Sequence, residues 1–173
     1  MIEQVGIIKF EVDNITKKHS RQSEWKKVAM VLFTGDICEY YAWFLKKRYN
    51  IILNKPLRGP HISFISESFR DINLGGGTDE DKNFIWNSLK EKWDGKEVTV
   101  KLSIEPRTNG SHWWLNIPTE HREELHSIRN ELILEFKKPY AGLHLSLGYV
   151  SEKNIEHSQY IRKLEYLNWI RNK

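Results

Sequence analysis

One six-residue pattern occurs twice in this 173-residue chain, as Gly59-Pro60-His61-Ile62-Ser63-Phe64 and as Gly142-Leu143-His144-Leu145-Ser146-Leu147, about half the length apart. Each copy reads glycine, spacer, histidine, aliphatic, serine, apolar. Side chains alternate between the faces of a strand, so histidine and serine two apart share one face, while Ile62 and Phe64, or Leu145 and Leu147, face a core. A duplicated strand of this kind demands two equivalent places to sit, and that constrains the fold more than any other feature. It also constrains the chemistry. Two copies brought together would supply an acid, a base and two hydroxyls able to hold phosphate oxygens. Coincidence is the competing reading, since serine follows some histidines by chance; the matching glycine, aliphatic and apolar positions count against it.

The surrounding segments repeat as well. In the first half, Val5 to Val12 and Lys27 to Phe33 are predicted strands. A helix from about Asp36 to Tyr49 follows, with Ile37, Tyr40, Tyr41, Phe44 and Leu45 at helical spacing. The loop Asn54-Lys55-Pro56-Leu57-Arg58-Gly59-Pro60 then leads into the first histidine strand. In the second half, Glu97 to Glu105 alternates, with Val98, Val100, Leu102 and Ile104 on one side, and His112 to Ile117 is a further strand. Thr119 is placed to cap a helix carrying Leu125, Ile128, Leu132 and Phe136, and Pro139 and Gly142 close the loop before the second histidine strand. Two more helices are expected. One runs from Thr78 to Trp93 with the acidic first turn Asp79-Glu80-Asp81, and one from Asn154 to Ile170 with Ile161, Leu164 and Leu167 on one side. Strand, strand, helix, signature strand thus occurs twice. The expected architecture is α+β: one domain over residues 1–173, with a first half of about 1–75 and a second of about 95–173. Each half contributes a mostly antiparallel sheet, the helices lie outside, and a central cleft between the halves is the natural site.

Composition narrows the class. Hydrophobic residues at 39% and charged residues at 29% describe an ordinary globule, and no apolar run approaches the roughly 20 residues of a membrane span. The first residues, Met1-Ile2-Glu3-Gln4-Val5, lack the order of a secretory signal, so a cytoplasmic setting is expected. The single cysteine, Cys38, rules out an internal disulfide and a cysteine-based metal cage. A formal charge of +4 favours an anionic partner.

The paired motifs and the duplicated order of elements resemble the 2H phosphoesterase superfamily, the LigT-like phosphodiesterases, whose members carry one His-x-Ser/Thr motif in each lobe of a bilobal α+β fold. The resemblance spans most of the chain in element order, while the specific match is the two six-residue segments. It places the family's histidines on His61 and His144 and its hydroxyls on Ser63 and Ser146, with serine standing where threonine is common. Gly148 after the second motif is also family-like. What the resemblance implies is phosphodiester chemistry without a metal or other cofactor. One imidazole takes a proton from water or a ribose 2′-hydroxyl, and the other gives one to the departing oxygen. Ser63 and Ser146 would steady the non-bridging oxygens. Either histidine can fill either role on sequence grounds. The implied substrates are nucleotides: cyclic oligonucleotide signals, 2′,3′-cyclic phosphate ends of RNA, or 2′,5′-oligoadenylate. The small size resembles the compact viral members, including phage anti-CBASS enzymes, which would act in the host cytoplasm. A rival of another class is a non-catalytic nucleotide- or RNA-binding module that kept the fold.

Other residues offer themselves for the same cleft. In His112-Trp113-Trp114-Leu115-Asn116-Ile117, the odd positions 113, 115 and 117 suit a core, which leaves His112, Trp114 and Asn116 on the polar face. Trp114 is the candidate for stacking a base. Arg58, just before the first motif, is the candidate phosphate fork, and Lys101 and Ser103 are weaker ones. Tyr149 has the parity of a packing residue unless a bulge intervenes. Gly75-Gly76-Gly77 lacks a following Gly-Lys-Ser/Thr and precedes acidic residues, so it reads as a connector and not as a phosphate cradle. His121 and His126 are spaced wrongly for a zinc helix, which pairs histidines four apart. Arg162-Lys163 and Arg171-Asn172-Lys173 read as a solvated helix face.

Overall fold

Alternating burial organises the strands of the computed structural model, which describes residues 1–12, 28–56, 58–66, 72–73, 79–132, 135–136 and 143–171. The elements in chain order are β1 (Ile2–Phe10), β2 (Val28–Phe33), α1 (Ile37–Tyr49), β3 (Leu53–Asn54), β4 (His61–Ser66), β5 (Ile72–Asn73) and α2 (Asp79–Trp93). There follow β6 (Glu97–Leu102), β7 (Arg107–Thr108), β8 (His112–Asn116), α3 (Glu123–Leu132), β9 (Glu135–Phe136), β10 (His144–Val150) and α4 (Ile155–Arg171). The chain is α+β. One four-stranded antiparallel sheet has the order β4-β2-β1-β6, and a second has the order β3-β10-β8-β7. The short pair β5-β9 forms a separate ribbon.

Each histidine strand lies beside the strand expected from the repeat: β4 on β2, and β10 on β8. The outer strands are arranged differently. Glu97–Leu102 does not repeat the role of β1; it pairs with β1 itself, with Val5 opposite Thr99 and Gly6 opposite Val98. The counterpart of β1 is the two-residue β7, where Arg107 faces Trp114. The chain changes sheets just after Leu102, where the Ser103 N–H donates to the Asn116 carbonyl at 2.8 Å. Ile104 therefore falls in the crossing and is exposed instead of extending the apolar row of Val98, Val100 and Leu102. In return, β3 from the first half pairs with β10.

A single buried cluster joins both halves, running from Ile8, Val31, Ile62 and Phe64 to Leu115, Leu145 and Leu147, with Trp86, Leu125 and Ile128 from the helices. Continuity of this core is what holds the two sheets in one unit. α2 is tied to the end of β1 through the Glu11 carboxylate, which accepts from Trp86 Nε1 at 2.8 Å and pairs with Lys90.

Several helical expectations need correction. In α1 the buried stripe is Ile37, Cys38, Tyr41 and Leu45, whereas Tyr40 is exposed, about 100° around the helix from Tyr41. Thr119 does not cap α3. It begins a 3-10 turn, Thr119–His121, and the Arg122 carbonyl accepts the first helical bond, from His126 N–H at 2.9 Å. Phe136 belongs to β9, paired with Ile72, and not to the helix. α4 packs through Ile161 and Ser158 in its first turns, while Leu164 and Leu167 are exposed. Arg162, Lys163 and Arg171 are exposed as expected. Lys27, Leu57, the Gly75-Gly76-Gly77 connector, Thr78, Pro139, Gly142 and Asn172-Lys173 lie outside the described residues. Among the described residues, no helix is long and apolar enough to cross a membrane.

Candidate active site

The turn before β4 explains how the first histidine is held. Gly59 has φ +67°, a left-handed conformation that glycine adopts without a Cβ clash, and its N–H closes the turn on the Pro56 carbonyl at 3.1 Å. That turn presents the Gly59 carbonyl to His61 Nδ1 at 2.8 Å. A carbonyl only accepts, so Nδ1 carries the proton and the neutral ring keeps its basic lone pair on Nε2. Ile62 and Phe64 are fully buried behind the ring, as alternation requires.

Strand β10 repeats the alternation. Leu145 and Leu147 are buried, while His144 and Ser146 are half-buried on the opposite face. Ser146 lies opposite Trp114 and His144 opposite Asn116. α1 packs against β10, and the buried Cys38 thiol donates to the Ser146 carbonyl at 3.5 Å, fixing the strand from behind. Burial, with the Glu39 carboxylate adding to it, pushes that thiol up to about 11.

Both signature strands carry a β-bulge at the same place. Between Ser63 and Ile65 the register with β2 slips so that Phe64 is the extra residue, and between Ser146 and Gly148 the register with β8 slips at Leu147. The apolar residue after each serine is thus the inserted one, and both are buried. Gly148 is then pressed against β3: a Cβ there would lie 2.4 Å from the Asn54 carbonyl oxygen, at φ +149°. Only glycine fits without displacing that strand.

The two motif strands lie against one another. His61 registers its partner: burial pushes its proton affinity below the ordinary histidine value, and the positive charges of Arg58 and His144 push it further down, against the opposing pull of the Gly59 carbonyl. Burial first, and the Arg58 guanidinium after it, thus favour the neutral ring. Arg58 is half-buried, with Nη1 3.3 Å from Met30 Sδ, and burial weakens its own hold on a proton. Met30 faces Ser63 across β2 and β4, so the guanidinium lies over the same face as the first motif.

Trp114 is half-buried, its ring centroid 5.6 Å from that of His144 and its Nε1 donating to Asn116 Oδ1 at 2.9 Å. With its N–H satisfied locally, the indole offers a face next to the second histidine. Trp113, Leu115 and Ile117 are buried, as alternation predicts. Of the weaker candidates, Lys101 lies on β6, the strand farthest from β4 in the first sheet, and Ser103 in the crossing uses its backbone on Asn116. His121 lies in the 3-10 turn and His126 in α3, so the two histidines share no helix.

Tyr149 changes sides. The Leu147 bulge turns it onto the face of Ser146 and Trp114, opposite His112 and 43% exposed. The signal was legible, because an isolated glycine inside a strand pattern marks a bulge. Arg107, exposed beside Trp114 on the same face, is a further cation that sequence reasoning passed over; its strand is only two residues long and has no alternation to detect. A shallow depression elsewhere, lined by Asn109, Gln159, Arg162, Lys163 and Tyr166, contains none of the motif residues. Comparison with family models, curated proteins and solved structures finds no match to this chain.

Proposed function

We propose that this protein is a metal-independent phosphodiesterase of the 2H type, a hydrolase acting on nucleotide phosphodiester bonds in a cleft shared by the two sheets. The observation that carries the reading is the pair of His-x-Ser strands set side by side, close enough for charge on one imidazole to alter the other. In the reactive form His61 is neutral and His144 protonated. His61 Nε2 takes a proton from water, or from a ribose 2′-hydroxyl, as that oxygen attacks phosphorus. The bond from phosphorus to the leaving oxygen breaks, and His144 supplies the proton that oxygen needs. Proton exchange with solvent then restores the starting state.

His61 is assigned the base because its surroundings favour the neutral ring and its Nδ1 is already committed to Gly59. Ser63, Ser146 and Arg58 serve the phosphate oxygens, where charge grows in the transition state. Trp114 stacks a base next to His144. The favoured substrates are cyclic oligonucleotide signals, in keeping with the resemblance to compact viral enzymes that remove them. Incubation with cyclic dinucleotides, 2′,5′-oligoadenylate and a 2′,3′-cyclic-ended RNA, with and without EDTA, tests the proposal by chromatography of the products. Turnover of at least one substrate that survives EDTA is expected. No turnover of any of them by folded protein would reject the enzyme in favour of a binding module.

A further inference from the structure

We infer that the candidate active site extends into a second base-binding subsite built by Tyr149 and His112, so that the preferred ligand spans at least two nucleotides. The inference rests on the phosphodiesterase reading and adds to it the place where a second base is held. In an unbulged β10, Tyr149 would point into the core and Gly148 outward. The extra residue, Leu147, reverses this: Leu147 and Gly148 are buried, and Tyr149 emerges beside His112 with ring centroids 6.5 Å apart and a 42° tilt. Bulges next to active sites re-aim side chains in this way. Gly148 accommodates the bulge only because it lacks a Cβ, given how closely β3 approaches.

The surface that results is a ladder. His144 with Asn116 forms one rung, Ser146 with Trp114 the next, and Tyr149 with His112 the third. Two residues of β8 separate Trp114 from His112, a step of about 7 Å. A base on Trp114 therefore leaves the Tyr149 rung uncovered. Exposed aromatic faces in a row beside cationic groups are how single-stranded nucleic acid is held, base by base. Arg107, opposite Trp114 on β7, flanks this row; its exposed pairing with the Glu105 carboxylate at 4.0 Å is weak enough to give way to a phosphate. The position matching Tyr149 in β4 is Ser66, which has no ring on which to stack a base. The added nucleotide therefore lies on the β10 side.

The test is calorimetric titration in a His61→Ala background, which blocks turnover, with two probes: the linear dinucleotide pApA and AMP. Adding Tyr149→Ala is expected to weaken pApA binding about 5- to 150-fold, the loss of one stacked base, while AMP binding changes less than about twofold. Tyr149→Phe should restore pApA binding to within about twofold of the parent. Unchanged pApA affinity in Tyr149→Ala, equal losses for both probes, or no pApA binding to the parent overturns the subsite. Parallel turnover assays on the chain with His61 intact separate the two ideas. Turnover with Tyr149-indifferent binding removes only the subsite; Tyr149-dependent binding without turnover removes only the enzyme.

Discussion

Replacing His61 with alanine is the sharpest perturbation of the proposed chemistry, because the structure separates what the ring does for folding from what it would do for catalysis. The imidazole is half-buried on β4, which is an edge strand, and its one described hydrogen bond runs to Gly59. The packing at this strand belongs to Ile62, Phe64 and Ile65, which alanine at 61 leaves in place. Losing one hydrogen bond of this type costs about 0.5–1.5 kcal/mol net, a small part of the stability of a domain. Losing a general base costs about 10²–10⁴ in rate, or about 2.7–5.4 kcal/mol of barrier at 1.36 kcal/mol per decade. The expected variant melts within several degrees of the parent and binds nucleotide, yet turns it over at least about a hundredfold more slowly. Single-turnover assays with a chromatographic readout, alongside a thermal melt, check both halves. Turnover within about threefold of the parent by a folded variant would falsify the assignment of His61.

Because burial and the Arg58 and His144 charges hold His61 below the ordinary histidine value, the acid limb of kcat/KM should fall below pH 6.5. Arg58→Gln removes one of those charges and should move the limb to higher pH, whatever it does to the maximal rate; an unmoved limb would reject His61 as the titrating base. The linked effect on stability has a definite sign: a neutral-favouring His61 contributes fully above its unfolded value, and that contribution is lost as pH falls through its lower folded value. Gly148→Ala should destabilise by roughly 1–3 kcal/mol, since the new Cβ must push the Asn54 carbonyl away, and lower Tm by several degrees. A melt indistinguishable from the parent would mean that β3 does not press on the bulge. Cys38, with its thiol pushed up to about 11, should react with a disulfide reagent at pH 8 at least about a hundredfold more slowly in the native protein than after unfolding. Native labelling within tenfold of the unfolded rate would contradict its burial behind Ser146.

The parity of the His-x-Ser segments and of His112 to Ile117 was legible in the sequence, because a buried face imposes a period of two on any strand that serves it. The main helices could be placed for the same reason at a period of 3.6. The turn at Gly59 was partly legible, since glycine marks where a left-handed residue is needed. The crossing at Ser103 was not. Alternation records that Val98, Val100 and Leu102 face a core, but it is silent on which sheet they join, and pairing with β1 is a long-range choice made by packing. Ile104 and Leu167 obey local periodicity and yet are exposed, because burial depends on what lies opposite and not on spacing along the chain. The side taken by Tyr149 was decided by a single inserted residue, Leu147. Sequence alone thus determined which residue types are offered for chemistry on each strand. Tertiary structure decided that the two offers meet, and that a third aromatic rung joins them, since proximity between segments half a chain apart is a property of the assembled core.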